Sequence, residues 1–370
     1  MSDSRAAIMA ALFAALRHNP VLWLLIFVPA VLGGQRLRPE AHTLLFVLSV
    51  LAIVPLAALL SEATSWVAAK TGDAVGGLLN ATLGTMTELV IAITALRAGE
   101  YVLVKASVAG AIVANSLFIV GASFLLGGLK HHIQEFNHVN ARFQASLLFL
   151  ATIALLVPSA VSAVDDRAAV FTQEVSLVLS GVLIVAYGLG LLFSLGTHRE
   201  LFTTAHHGGD EATRPMGLAL ITLAVVTVFV ALVSEIFVES VQHAAVSFGM
   251  TPAFVGFIVV ALIGASAEMA TTFSAARRNR LDLSVGVALS AATQLALFVG
   301  PFLVLVSYAI APAPMDLRFW MSAVVMMLIA ALSVALVTNS GRSTWFVGVL
   351  LLMIYFIFAA SLYLMPPQVR

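Results

Sequence analysis

Two glutamates lie inside apolar stretches of membrane length, in frames of the same layout: Gly84-Thr85-Met86-Thr87-Glu88 and Gly264-Ala265-Ser266-Ala267-Glu268. A carboxylate in the middle of a bilayer costs about 2.5 kcal/mol on insertion scales and over ~10 kcal/mol in simulations. Such residues mark ion paths and proton relays. Glu88 stands nine residues before Arg97, and Glu268 nine residues before Arg277. Nine helical residues rise roughly 13 Å, about half of a ~30 Å hydrocarbon core, which places both carboxylates near the midplane.

Two carboxylates facing one cavity suit a hard divalent cation, and calcium takes about six to eight oxygen ligands. One Ca2+ neutralises the pair, and so do two protons. Mutually exclusive occupancy then gives antiport from electrostatics, with the two acids titrating as a unit. Glycine loosens a helix and frees backbone carbonyls where the chain borders a cavity, so the carbonyls of Gly84 and Gly264 are natural further ligands. Asn80, Thr82, Thr85, Thr87, Ser266 and Thr271 offer side-chain oxygens nearby. Asn115 follows Glu88 by 27 residues and Gln294 follows Glu268 by 26; an intramembrane amide serves as ligand or as glue between helices. Glu62 and Glu235, each directly after a serine (Ser61, Ser234), are expected to line a vestibule or reach an interface. The bland alternative makes Glu88 and Glu268 structural, each protonated and bonded to a neighbouring helix. Two matching glycine-containing frames weigh against it.

Of 370 residues, 61% are hydrophobic and 10% charged, against about 25% charged in soluble domains. The chain reads as an all-α polytopic membrane protein. Net charge is zero and cysteine is absent, so nothing suggests a nucleic-acid partner, and disulfides, thiol catalysis and Cys-based metal sites are excluded. Neither His-Glu-x-x-His nor Gly-x-Ser-x-Gly occurs, so an intramembrane enzyme is not expected, and no cofactor is called for; Ca2+ and H+ are transported species. Residues 1–19 are expected to form a short cytoplasmic helix or tail, with no removable signal peptide.

Apolar runs predict about eleven transmembrane helices: 20–35, 42–62, 73–98, 102–127, 143–163, 171–196, 215–243, 252–276, 283–310, 318–338 and 344–364. The expected layout is a tail and first helix (1–40), a five-helix repeat (41–196), a cytoplasmic linker (197–214) and a second five-helix repeat (215–370). Glu88 falls in the third span and Glu268 in the eighth. An offset of five is odd, so the two helices run in opposite directions. That is an inverted repeat, which places a binding site at the repeat interface near the midplane. The Lys/Arg bias, sharpest at Arg277-Arg278-Asn279-Arg280, puts the N-terminus inside and the C-terminus outside. A passive channel or structural membrane protein is the contrasting class; channels are usually built as rings about an axis.

At these residues the chain resembles the calcium/proton exchangers of the cation/calcium-exchanger superfamily. Gly76-Gly77-Leu78-Leu79-Asn80-Ala81-Thr82-Leu83-Gly84 with Thr87-Glu88-Leu89-Val90-Ile91-Ala92-Ile93 is similar to that family's first signature helix. Gly127-Gly128-Leu129, Phe136-Asn137, Pro158-Ser159-Ala160, Leu191-Leu192-Phe193-Ser194-Leu195 and the stretch Ala288–Pro301 resemble its later motifs. The resemblance implies eleven helices, a pseudo-twofold repeat and Ca2+ export driven by a proton gradient. It implies Glu88 and Glu268 as the acids that bind Ca2+ or H+ in turn, with the backbone oxygens of Gly84 and Gly264 as ligands. The chain departs from the family at Thr85 and Ala265, where Asn usually follows the glycine, and at Met269, where His is common. The frames lean toward the sodium/calcium branch, so a Na+/Ca2+- or Mn2+-type exchanger is the sibling reading. The linker carries His206, His207, Asp210 and Glu211, expected as a solvated loop. The expected partners are Ca2+, protons and membrane lipid, and the expected site is a bacterial cytoplasmic (inner) membrane.

Overall fold

Where no water is available, an apolar segment must satisfy its own backbone, and the helix is the way to do so within one segment. The computed structural model describes residues 20–71, 76, 78–79, 82–162, 169–202 and 216–364. Among these, eight continuous helices are long and apolar enough to cross a membrane. They are α2 (His42–Lys70), α4 (Tyr101–His131), α5 (His138–Ala160), α6 (Thr172–Thr197), α7 (Met216–Ser247), α10 (Leu281–Ile310), α11 (Met321–Thr338) and α12 (Trp345–Leu364). α8 (Pro252–Gly264) and α9 (Ser266–Arg277) form a further crossing bent by 57°. A shorter apolar helix, α1 (Val21–Leu37), precedes them. α3 (Met86–Arg97) continues from helical residues upstream, described at 76, 78–79 and 82–83.

These elements lie at the eleven expected spans, with one correction. The spans at 73–98 and 252–276, whose glycines imply a loosened helix, are interrupted among the described residues at Gly84-Thr85 and at Ala265. The all-α reading also misses a small antiparallel ribbon, β1 (Ile133–Glu135) with β2 (Arg342–Thr344). It pairs the loop after α4 with the loop after α11, where short polar runs leave backbone groups to be satisfied.

The halves correspond element by element: α2 with α7, the broken α3 span with α8–α9, α4 with α10, α5 with α11, and α6 with α12. α3 and α9 even end alike. Gly99 (φ 77°) and Asn279 (φ 58°) take left-handed backbone just past each helix. The next N–H, of Glu100 or Arg280, then bonds the carbonyl of Ala95 or Ala275 at 2.9 or 3.0 Å. This is the Schellman stop, for which glycine and asparagine are the usual residues.

Loop contacts show the inversion. The end of α3 meets the ends of α7 and α10, through Gln242 donating to Glu100 (2.6 Å) and the Tyr101 hydroxyl donating to the carbonyl of Ala313 (2.7 Å). The end of α9 lies on the opposite face, where Lys130 and His131 both reach the carbonyl of Arg277 (3.1 Å). α3 and α9 therefore run in opposite directions. The Lys/Arg bias leads to the expectation that the first face is outer and the second inner.

α4 and α10 are the most deeply buried spans, whereas most of α7 faces outward. Glycines bring backbones together around α4. A Cβ at Gly110 would collide with the Phe257 carbonyl, and one at Gly348 of α12 would meet the Gly121 carbonyl at 2.5 Å. Without a hydrophobic drive between helices in lipid, such close approach is what holds them together. α2 and α7, the pair with the longest mutual contact, pack side by side across this core.

Candidate functional site

Each break gives a helix a new start inside the membrane. Met86 and Ser266 open α3 and α9, so Glu88 and Glu268 are each the third residue of a helix. The first N–H groups of a helix lack intrahelical partners and carry its positive dipole end, which suits a carboxylate. At the preceding stop, Ala265 N–H bonds the Ala261 carbonyl (3.1 Å) and Met269 N–H bonds the Ala265 carbonyl (2.9 Å). The Gly264 carbonyl is one of the end groups that a terminating helix leaves over.

The two frames meet. Glu88 lies directly on Gly264: a Cβ there would come within 2.8 Å of Glu88 Cγ and 3.3 Å of Cδ. Only glycine lets the first-half side chain rest on the second-half backbone. The carboxylates of Glu88 and Glu268 are close enough to act on each other electrostatically. Both are buried, at 9% and 8% exposure. Both oxygens of Glu88 and Oε2 of Glu268 have no hydrogen-bond partner among the described residues. Buried polar groups are nearly always satisfied, and a buried charge needs a counter-charge. Among the described residues no third acid or histidine joins them to form a metal cluster. A bound cation would draw its remaining ligands from neutral oxygens.

Beside Glu88 lies a cavity of about 10 Å3, lined on α4 by Ser107, Val108 and Ala111, on α8 by Val260 and Ala261, and on α10 by Leu295 and Val299. That is about the space of one water. Sequence reading gives no hint of these mostly apolar lining residues, because only the packing of four helices selects them.

The other expected residues fall into groups. Thr85 and Thr87 are buried beside Glu88, and the buried Ser266 hydroxyl has no partner among the described residues. Asn115 is fully buried; its Nδ2 donates to the Ala111 carbonyl of its own helix (3.0 Å), and its Oδ1 is without a partner among the described residues. Gln294 crosses between halves instead, its Nε2 donating to the Thr82 carbonyl (3.0 Å) just before the Gly84-Thr85 break. Glu62 is half-buried on α2 and Glu235 is exposed on α7. Thr271 is exposed and its hydroxyl bonds its own helix, at the Ala267 carbonyl (3.1 Å), away from the pair. Asn80, like the linker residues His206, His207, Asp210 and Glu211, lies outside the described residues.

A feature absent from the sequence reading is a π-helical turn at matching places, Ala114–Ile119 in α4 and Leu295–Val299 in α10. The first holds Asn115 and the second directly follows Gln294. Such turns cluster at functional sites because the extra residue re-aims the side chains around it.

Comparison with known proteins identifies the family. The model of the family described as "Sodium/calcium exchanger protein" matches residues 41–196 and 218–364. The chain is 38% identical to a Ca(2+)/H(+) antiporter of Aphanothece halophytica over 368 residues, covering 95% of this chain and 98% of that protein. It is 35% identical to the Ca(2+)/H(+) antiporter ChaA of Bacillus subtilis (strain 168), covering 91% and 96%. Its fold superposes on the structure of native YfkE with a TM-score of 0.81 at 32% identity, covering 94% of this chain and all of that one. The chain is an integral membrane protein and belongs to the sodium/calcium exchanger protein family, on its calcium/proton exchanger branch.

Proposed function

We propose that the protein is a Ca2+/H+ antiporter that exports cytoplasmic Ca2+ across a bacterial cytoplasmic membrane, driven by entering protons. The observation that carries the reading is the Glu88–Glu268 pair: two buried carboxylates at the repeat interface, Glu88 resting on Gly264 of the second frame, with three oxygens unpartnered among the described residues. Such a pair is satisfied by one Ca2+ or by two protons and poorly by both together. Glu88 and Glu268 are assigned as the exchanging ligands. Gly84 and Gly264 supply carbonyls, and Thr85, Thr87, Asn115 and Ser266 supply neutral oxygens or hold water. Gln294 supports the first break. Residues 41–196 and 215–370 act as the two repeats, and rocking of α2 and α7 against the core exposes the pair to each side in turn. Relatives described as Ca2+/H+ antiporters support this cargo.

A second reading, Na+ in place of H+ or Mn2+ in place of Ca2+, is favoured by the frames themselves. Thr85 is buried beside Glu88, and Ala265 is fully buried in the matching position, so hydroxyl and methyl stand where an amide is usual in the resembled family.

The test is 45Ca2+ uptake into everted membrane vesicles with and without an imposed pH gradient. Uptake that requires the gradient and persists without Na+ is expected. Uptake that follows a Na+ gradient instead gives the second reading, and uptake indifferent to either gradient contradicts exchange.

A further inference from the structure

Lys105 is a charge that exchange at Glu88 and Glu268 leaves unused. It sits on the outer half of α4, largely buried, with its side chain 16% exposed. An ionisable group inside a membrane span marks a functional path by default. Its partner is Asp316, in the loop between α10 and α11. That loop, residues 311–320, is laid into the outer end of the bundle as a strap. Met315, Leu317 and Phe319 are buried. Their N–H groups donate in alternation to three buried serine hydroxyls on three helices: Ser307 (2.8 Å), Ser176 (3.0 Å) and Ser159 (3.1 Å). Asp316 points the other way, accepting from the Arg318 N–H (2.8 Å) while it pairs with Lys105.

The strap packs on the outer parts of the helices that line the Glu88 cavity. Val108, which lines that cavity, is one helical turn inward from Lys105 on α4. Val260, also in the lining, is one turn inward from Phe257, whose ring meets Trp320 of the strap at 6.5 Å. Val299 is on α10, the helix that carries Ser307 outward. Lys105, Asp316 and Arg318 are thus the charged groups facing the outer approach from α4 and from the strap.

We propose that Lys105 is the charge-selective residue of an outer seal over the Glu88 cavity, with Asp316 on the strap setting how much of its charge a cation meets. Paired, the two present little net field to an approaching divalent ion. If the strap lifts Asp316 away, Lys105 opposes cation entry from outside, about twice as strongly for a divalent ion as for a proton. The cargo in this statement rests on the antiporter reading, but the electrostatic claim does not.

The protein contains no cysteine, so one introduced thiol reports alone. Ser107→Cys places it in the cavity lining, to be labelled from the outer face of right-side-out vesicles by cationic and anionic methanethiosulfonates. Added to S107C, K105M is expected to raise the cationic-to-anionic rate ratio about threefold and D316N to lower it about threefold, with the K105M/D316N pair returning near the start. Shifts in the same direction, which a merely structural ion pair would give, overturn the proposal; so does an unchanged ratio, or a thiol unlabelled in every background. In flux assays on the native serine, the outer-face KM for Ca2+ should fall in K105M and rise in D316N while the inner-face KM stays put. Thiol ratios that move as expected in a protein that moves no Ca2+ overturn the calcium reading alone.

Discussion

α3 and α9 start with the same third-residue glutamate and stop with the same left-handed cap, yet the groups around them differ. On the α3 side stand two buried threonines, Thr85 and Thr87. On the α9 side the matching positions are Ala265 and Ala267, and the frame's hydroxyl, Ser266, is displaced by one residue. The amides diverge as well: Gln294 reaches the other half's hinge, whereas Asn115 bonds its own helix and leaves its oxygen unpartnered among the described residues. The shared part is backbone, as an inverted repeat requires if one motion is to mirror the other. The unshared part is the set of side chains flanking the two acids. On the proposed antiporter reading, the shared backbone would serve the movement and the local differences would serve selectivity.

If the two acids carry equal weight, Glu88→Gln and Glu268→Gln each reduce gradient-driven Ca2+ uptake by at least about 100-fold, and the double variant is no worse, since residues acting as one unit are not additive. A single variant retaining a tenth of wild-type uptake would break the equivalence. Gly264→Ala comes next. A methyl 2.8 Å from Glu88 Cγ displaces the carboxylate, and KM for Ca2+ should rise about tenfold, as a misplaced ligand does. Glu88→Asp in the same chain withdraws one methylene and should recover part of the loss.

The amides give a smaller, sharper contrast. Gln294→Asn is too short to reach the Thr82 carbonyl and should lower the maximal rate about threefold, with KM little changed. Asn115→Ala removes an oxygen without a partner among the described residues and should raise KM about threefold at similar rate. Identical effects from both would erase the distinction drawn between them. Smallest are the caps. Gly99→Ala puts a Cβ at φ 77° and should cost about 1 kcal/mol, whereas Asn279→Gly should cost nothing, both read as thermal shifts in detergent.

Much of this architecture is legible in the residues. Apolar length locates the spans, and the matching frames with an odd helix offset point to inversion, because both signals depend only on local composition and count. The breaks at Gly84-Thr85 and Ala265 are half legible: glycine signals a loosened helix, but neither the 57° bend nor the seat of Glu88 on Gly264 follows from one segment alone. The π turns beside Asn115 and Gln294 carry no compositional mark. Neither does the strap, whose residues 311–317 look like an ordinary loop and whose order comes from serines contributed by three separate helices. Thr271 shows the opposite failure, a hydroxyl of suitable type one turn from Glu268 that faces away.

Mutually exclusive occupancy is the central claim, and proton counting during Ca2+ binding tests it most directly. Calorimetric titration of the purified protein, repeated in buffers of different ionisation enthalpy, gives the protons released per Ca2+ bound. Release approaching two at acidic pH, falling as pH rises and disappearing together with Ca2+ binding in Glu88→Gln/Glu268→Gln, is the predicted result. Tight Ca2+ binding with no proton release at any pH that supports transport would contradict it.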